Sequence, residues 1–262
     1  MTPALRKIFL TSGAVLGLVF FLVFCAGIVT LVRNSDRLFA ATLSASLIWT
    51  LAGVAVTALF SVVGGFGFRR LFRRMASLEI FFFLAFIVSL SFDALKILNL
   101  VFIARNAAPH YGMLVTRTVY FGYFLGLLSL FASSLFSGDS HFRKMGTILG
   151  TILAFSFSLS YSLPIDSTVF QANLLYRVSG EALILLVRFG LEILTLFGFA
   201  RSAFLSGTTE QRGILGAAVM VIVGRELLFF LSSPLFILMG SALLVGGAVL
   251  FSRFSYAKHL WI

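Results

Sequence analysis

Charge is what this sequence has least of: 11% of its 262 residues are Asp, Glu, Lys or Arg, against 60% that are apolar. A soluble domain carries about 25% charged and about 45–50% apolar residues. One core in a chain of this size cannot hide the difference, so the solvent for most of the surface is lipid. A soluble enzyme, a nucleic-acid module and a disordered tail are thereby excluded. The single cysteine, Cys25, rules out a disulfide framework and a cysteine-ligated metal site; it reads as a small, buried apolar residue. The three histidines, His110, His141 and His259, fall in loops or the tail, so none is placed for axial haem ligation. HExxH, GxxxxGK[ST] and GxSxG motifs are missing. No cofactor and no metal are expected, and an enzyme is the least supported class.

What is present is a succession of long apolar runs. A helix needs about 20 apolar residues to cross the hydrocarbon core. Runs of that kind cover residues 8–32, 38–67, 79–104, 113–137, 146–165, 180–204, 214–233 and 235–252. The last two are separated only by Ser232-Ser233-Pro234. Read as one helix they would be roughly twice the core thickness, so a tight helical hairpin at Pro234 is expected. The N-terminus is expected to be a retained first helix rather than a cleaved signal: Ile8 to Val32 holds 25 residues without a charge, whereas a signal's apolar region has about 7–15. The expected fold is an all-α, polytopic transmembrane bundle of about eight spans, with seven as the alternative. Residues 1–262 then form a single integral membrane domain with no soluble domain. The longest outer connection, Asp166 to Gly180, is expected to form a short interfacial turn of helix.

Orientation follows from Lys and Arg in the short loops. With the N-terminus inside, the inner side holds 12 and the outer side 4, while Lys96, Arg117, Arg188 and Arg225 lie within spans. Both termini are therefore expected in the cytoplasm. The net charge of +11 belongs to this topology rather than to nucleic acid. Arg69, Arg70, Arg73 and Arg74 make the densest basic stretch, interleaved with Leu71-Phe72. It reads first as a topology anchor on anionic lipid headgroups, each basic residue contributing about 1 kcal/mol, and second as a docking site for a protein partner.

The informative feature is a set of ionisable residues at mid-depth: Asp93 and Lys96 in the third span, Arg188 and Glu192 in the sixth, Arg225 and Glu226 in the seventh. One such charge costs roughly 2.5–3.5 kcal/mol on insertion scales, and six unpaired would cost on the order of 15–20 kcal/mol. That exceeds the usual net stability of a protein. The three spans are therefore expected to pack together and pair their charges, either to fix helix register or to form a binding or relay site. Loss of Glu192 alone is expected to strand Arg188 or another cation and to be strongly destabilising.

A second polar group, Asn99, Arg117, Tyr120, Ser160 and Glu181, could line a cavity open to the outside. Glycines four apart, Gly13/Gly17, Gly122/Gly126 and Gly146/Gly150, each let a neighbouring backbone approach, more often within one chain than between two. Leu95–Arg105 and Leu191–Arg201 match at six of eleven positions, a weak hint of an inverted repeat. The plan resembles the multi-helix membrane sensor modules of bacterial signalling proteins, in architecture alone. That resemblance implies a bacterial inner membrane and a separate cytoplasmic or membrane protein as output. The functional expectation is a non-enzymatic sensor, receptor-like module or complex subunit; the alternative is a small-solute or ion-coupled secondary transporter.

Overall fold

The computed structural model describes residues 3–33, 45–72, 77–137 and 145–260. In lipid every backbone N–H and C=O must be satisfied within its own segment, and the apolar runs accordingly fold as helices. They are α1 (Pro3–Arg33), α2 (Ala45–Phe72), α3 (Leu78–Ser89), α4 (Lys96–Ala104), α5 (Pro109–Leu135), α6 (Met145–Tyr161), α7 (Glu181–Ser206), α8 (Thr209–Phe230) and α9 (Pro234–Leu260). Between α3 and α4 the chain tightens into a 3₁₀ segment, Leu90–Leu95, without breaking. Leu78–Ala104 thus runs as one 27-residue rod. The hydroxyls of Ser89 and Ser91 donate to the carbonyls of Phe86 and Val88, both at 2.7 Å, the kind of local bond that competes with the helical ladder.

Among the described residues, six helical segments are long and apolar enough to cross a membrane: α1, α2, the α3–α4 rod, α5, α8 and α9. The chain is a multi-pass helical membrane protein. Of the other two expected spans, α6 has 17 residues, about 26 Å of helix, and α7 has 26 residues and carries Arg188 and Glu192. The break between α8 and α9 falls at Leu231–Ser233, with Pro234 opening α9. Proline suits that place because the first helical N–H has no intrahelical acceptor.

Two expectations need correction. The connection from Asp166 to Gly180 contains no helix: it is an antiparallel hairpin of β1 (Ile165–Phe170) and β2 (Tyr176–Val178), pairing Ile165 with Val178 and Asp166 with Arg177. Its fold is local. Thr168 donates both its hydroxyl and its N–H to Asp166, and Leu174 turns the tip with φ +66°. Cys25 is exposed on α1 rather than buried, on a helix whose own apolar surface faces outward.

The α3–α4 rod is the centre of the bundle, with its most apolar stretch wholly buried. Helices α1 and α2 cover one side and α5 another. Close approach is bought with glycine. A Cβ on Gly13 would sit 3.0 Å from Val88, and one on Gly27 2.6 Å from Ile97. The tightest seam joins α8 to α9, where a Cβ on Gly224 would lie 2.5 Å from the backbone nitrogen of Leu244. Gly146 and Gly150, by contrast, meet nothing within 4 Å, so that pair does not serve packing within the described chain. The two segments of the suspected repeat also differ: Ile97 is fully buried, whereas its counterpart Ile193 is 65% exposed.

The seam gives the first prediction. Gly224→Ala meets backbone on the facing helix, which cannot swing aside, and should lower stability by about 1–3 kcal/mol as overpacking does. Gly150→Ala meets open space and gains helix propensity of up to about 1 kcal/mol. Thermal melting in detergent should therefore move in opposite directions for the two variants.

Candidate functional site

The six mid-depth charges converge on α5, the span to which the sequence assigns no charge at that depth. Gly122 and Gly126 leave its face open. A Cβ on Gly122 would fall on the Phe92 side chain, and one on Gly126 would lie 2.4 Å from both Arg225 Nη1 and Ser89 Oγ. Into this opening α8 sends Arg225, which is 2% exposed. Its Nη2 donates to the carbonyl oxygens of Tyr123 at 2.8 Å and Gly122 at 3.4 Å. Its guanidinium carbon stands 4.6 Å from the Tyr123 ring centre and 5.3 Å from that of Phe86.

Tyr123 divides the cluster. On the rod side, Lys96 Nζ lies 3.8 Å from Asp93, donates to the Phe229 carbonyl at 3.3 Å and sits 3.9 Å from the Phe229 ring centre. On the α7 side, Arg188 Nε lies 3.3 Å from Glu226 Oε2 and 4.0 Å from Glu192 Oε1. The Tyr123 hydroxyl donates to Glu226 Oε1 at 2.5 Å. Arg188 is further flanked by the rings of Phe189 and Phe230.

The structure thus brings all six charges into one region, but not as three separate pairs. The rod reaches α8 through Lys96 and the Phe229 carbonyl, not through a carboxylate. Asp93, Lys96 and Arg225 sum to +1, and Arg188, Glu192 and Glu226 to −1. Buried polar atoms without a hydrogen-bond partner include Nε and Nη1 of Arg225, Oε1 of Glu192 and Oε2 of Glu226.

The outer candidates go to several places. Asn99, fully buried, donates to the Leu174 carbonyl at 2.9 Å and to Thr116 Oγ1 at 3.3 Å. Thr116 Oγ1 also accepts from the backbone N–H of Tyr176, so this pair fastens the hairpin to the rod and to α5. Tyr120 packs among Tyr123, Phe124 and Phe229. Ser160 returns its hydroxyl to the Phe157 carbonyl of its own helix. Arg117 lies over the Tyr161 ring, 5.0 Å from its centre. Glu181 opens α7. Of the basic stretch, Arg69 and Arg70 belong to the end of α2, while Arg73 and Arg74 lie outside the described residues.

A second buried polar group, at the opposite end from the hairpin, escapes the sequence reading. Glu79, 1% exposed near the start of α3, pairs with Lys258 of α9 at 3.3 Å. Ser137 Oγ stands 3.2 Å from Glu79 Oε1 and 3.0 Å from Gln211 Oε1. Gln211 Nε2 donates to the Ser137 carbonyl at 2.9 Å, and Lys258 donates to the same oxygen. Lys258 lies near the chain end and reads as a loop cation, which hides its role. The acid in the first turn of an otherwise apolar helix was the available signal.

Hydrogen bonds from the Thr168 side chain and then its N–H hold the Asp166 carboxyl below the usual carboxylate range. No family model, curated protein or solved structure matches the chain.

The pairing geometry revises which acid matters most. Arg188 keeps Glu226 when Glu192 is lost, so Glu192→Leu should cost less than a stranded charge. Glu226→Leu removes both the nearer partner of Arg188 and the acceptor of Tyr123. Arg188 then retains Glu192 at 4.0 Å, while the buried Tyr123 hydroxyl loses its acceptor at a cost of about 1–3 kcal/mol, and melting in detergent should show Glu226→Leu below Glu192→Leu. At the hairpin, the contribution of Asp166 is fully present above the ordinary aspartate value and is lost as pH falls through its lowered one. Thr168→Val should return the Asp166 midpoint, followed by carboxyl NMR, upward toward the ordinary value.

Proposed function

We propose that this protein is a non-enzymatic membrane module that passes a signal across the bilayer, as a sensor or as a complex subunit acting through a separate partner. One observation carries the reading: the buried α3–α4 rod is bonded at three depths to three different sets of neighbours. Asn99 holds the hairpin, Lys96 holds α8, and Glu79 holds α9 and the ends of α5 and α8. Its middle is the 3₁₀ segment Leu90–Leu95, and a mid-helix 3₁₀ stretch often marks a functional hinge. A rod fastened at both ends with a tightened turn between them transmits movement of one end to the other.

The hairpin is suited to the receiving end. Leu174 holds a left-handed conformation that costs a non-glycine residue on the order of 1–3 kcal/mol, and its carbonyl is the acceptor for Asn99. A ligand that relaxed the tip would release that bond. In this reading eight segments cross a bacterial inner membrane with both termini cytoplasmic, as the Lys and Arg bias indicates. The Glu79–Lys258 end then faces the cytoplasmic partner, and Arg69, Arg70, Arg73 and Arg74 meet anionic headgroups. A second reading, ion-coupled transport through the mid-membrane charges, is favoured by the unpartnered atoms of Arg225 and Glu192.

Hydrogen–deuterium exchange on Asn99→Leu tests the coupling. Faster exchange is expected in the hairpin and also at Gly207–Arg212, on the far side of the bundle. An effect confined to the hairpin would remove the basis for a transmitter. Sodium-driven proton movement, read by a pH-sensitive dye inside proteoliposomes, would favour transport instead.

A further inference from the structure

The charges on the α7 side of Tyr123 do not match. One guanidinium, Arg188, faces two carboxylates, Glu192 and Glu226. The other nearby cations make their contacts elsewhere: Arg225 donates from Nη2 to the carbonyls of Gly122 and Tyr123 and leaves Nε and Nη1 unpartnered, and Lys96 is turned to Asp93 and the Phe229 carbonyl. Tyr123 supplies its one hydroxyl proton to Glu226 Oε1.

Two of the remaining oxygens have no donor among the described residues. Glu192 is 8% exposed, and neither its Oε1 nor Glu226 Oε2 receives a hydrogen bond among the described residues. Arg188 Nε stands near both but is itself without a hydrogen-bonded acceptor, so its attraction to them is one of charge alone. The two carboxyl groups stand at the same guanidinium nitrogen, Glu226 Oε2 at 3.3 Å and Glu192 Oε1 at 4.0 Å from Arg188 Nε. Two ionised carboxylates in contact repel and can only accept hydrogen bonds; a proton on one makes it a donor to the other and relieves both conditions.

We propose that Glu192 and Glu226 share one bound proton, making the α7–α8 contact a proton-binding site in the middle of the membrane. The O–H of one carboxyl donates to an oxygen of the other, and the pair then carries a single negative charge opposite Arg188. The same chemistry recurs wherever two facing carboxyl groups hold one proton between them. The site is set by α7, α8 and Tyr123 and does not depend on the signal-transmitting reading.

Infrared spectroscopy of the purified protein in lipid at neutral pH, in H2O and D2O, tests it. A carboxylic acid C=O band that shifts on deuteration is expected in the wild type and should vanish as pH is raised. It should be lost in Glu192→Gln and in Glu226→Gln, because each leaves one carboxylate facing one guanidinium. It should persist in Glu79→Gln and Asp93→Asn, the other buried acids. A wild type without the band, a band that survives both glutamine variants, or one lost with Glu79 or Asp93 would overturn the proposal. The wild-type titration stands even if a variant fails to fold.

Discussion

A charge inside hydrocarbon must meet a partner at its own depth, and the architecture follows from that requirement applied to one helix. The α3–α4 rod carries Glu79, Asp93, Lys96 and Asn99, and all four are buried. Each needs something different: a cation for Glu79, an acceptor for Lys96, a carbonyl for Asn99. No single neighbour offers all of these at three levels. The rod is therefore enclosed by α5, α8, α9 and the hairpin, while α1 and α2 close the side where its face is apolar. Burial of the rod is as much an electrostatic necessity as a hydrophobic one.

Meeting those charges needs room, and small residues provide it. Gly126 leaves the space that Arg225 occupies, and Gly224, one residue earlier on α8, brings α9 against the same helix. Aromatic rings then complete the surroundings. Lys96, Arg188 and Arg225 each lie over at least one ring, and a desolvated cation over an aromatic face gains on the order of 2 kcal/mol. Part of the phenylalanine surplus, 32 residues in all, is therefore not generic lipid-facing surface.

Much of this was legible because insertion cost is a property of composition. The apolar runs, the turn at Pro234 and the concentration of mid-depth charge in three spans all follow from counting and spacing. Partner identity did not follow. Whether Arg188 meets Glu192 four residues along its own helix or Glu226 on the next depends on the rotation of α7 against α8, which local spacing leaves open. Tyr123 has no distinguishing pattern in a run of aromatic and small residues, yet it separates the two halves of the cluster. Lys258 looked like a solvated tail cation because its partner is 179 positions away. The hairpin was missed because one of its bonds, Thr168 to Asp166, is purely local and another, Asn99 to Leu174, spans 75 positions, with no strand periodicity long enough to register.

The mid-membrane set holds three acids and three bases, and from sequence that balance argues for a purely structural network. Arrangement matters more than the sum. A network built only to fix register would place each carboxylate on its own cation, since every mismatch in low dielectric costs stability. Here two carboxyl groups face Arg188, Arg225 rests on carbonyls, and Tyr123 lies between a half with two bases to one acid and a half with two acids to one base. Glycine at 122 and 126 keeps Arg225 in that position, so the separation is built into the backbone rather than left to side-chain choice. Unpartnered atoms persist on both sides of the divide. Such a layout forgoes stability that direct pairing would have provided, and local rules are broken in that way chiefly at functional sites.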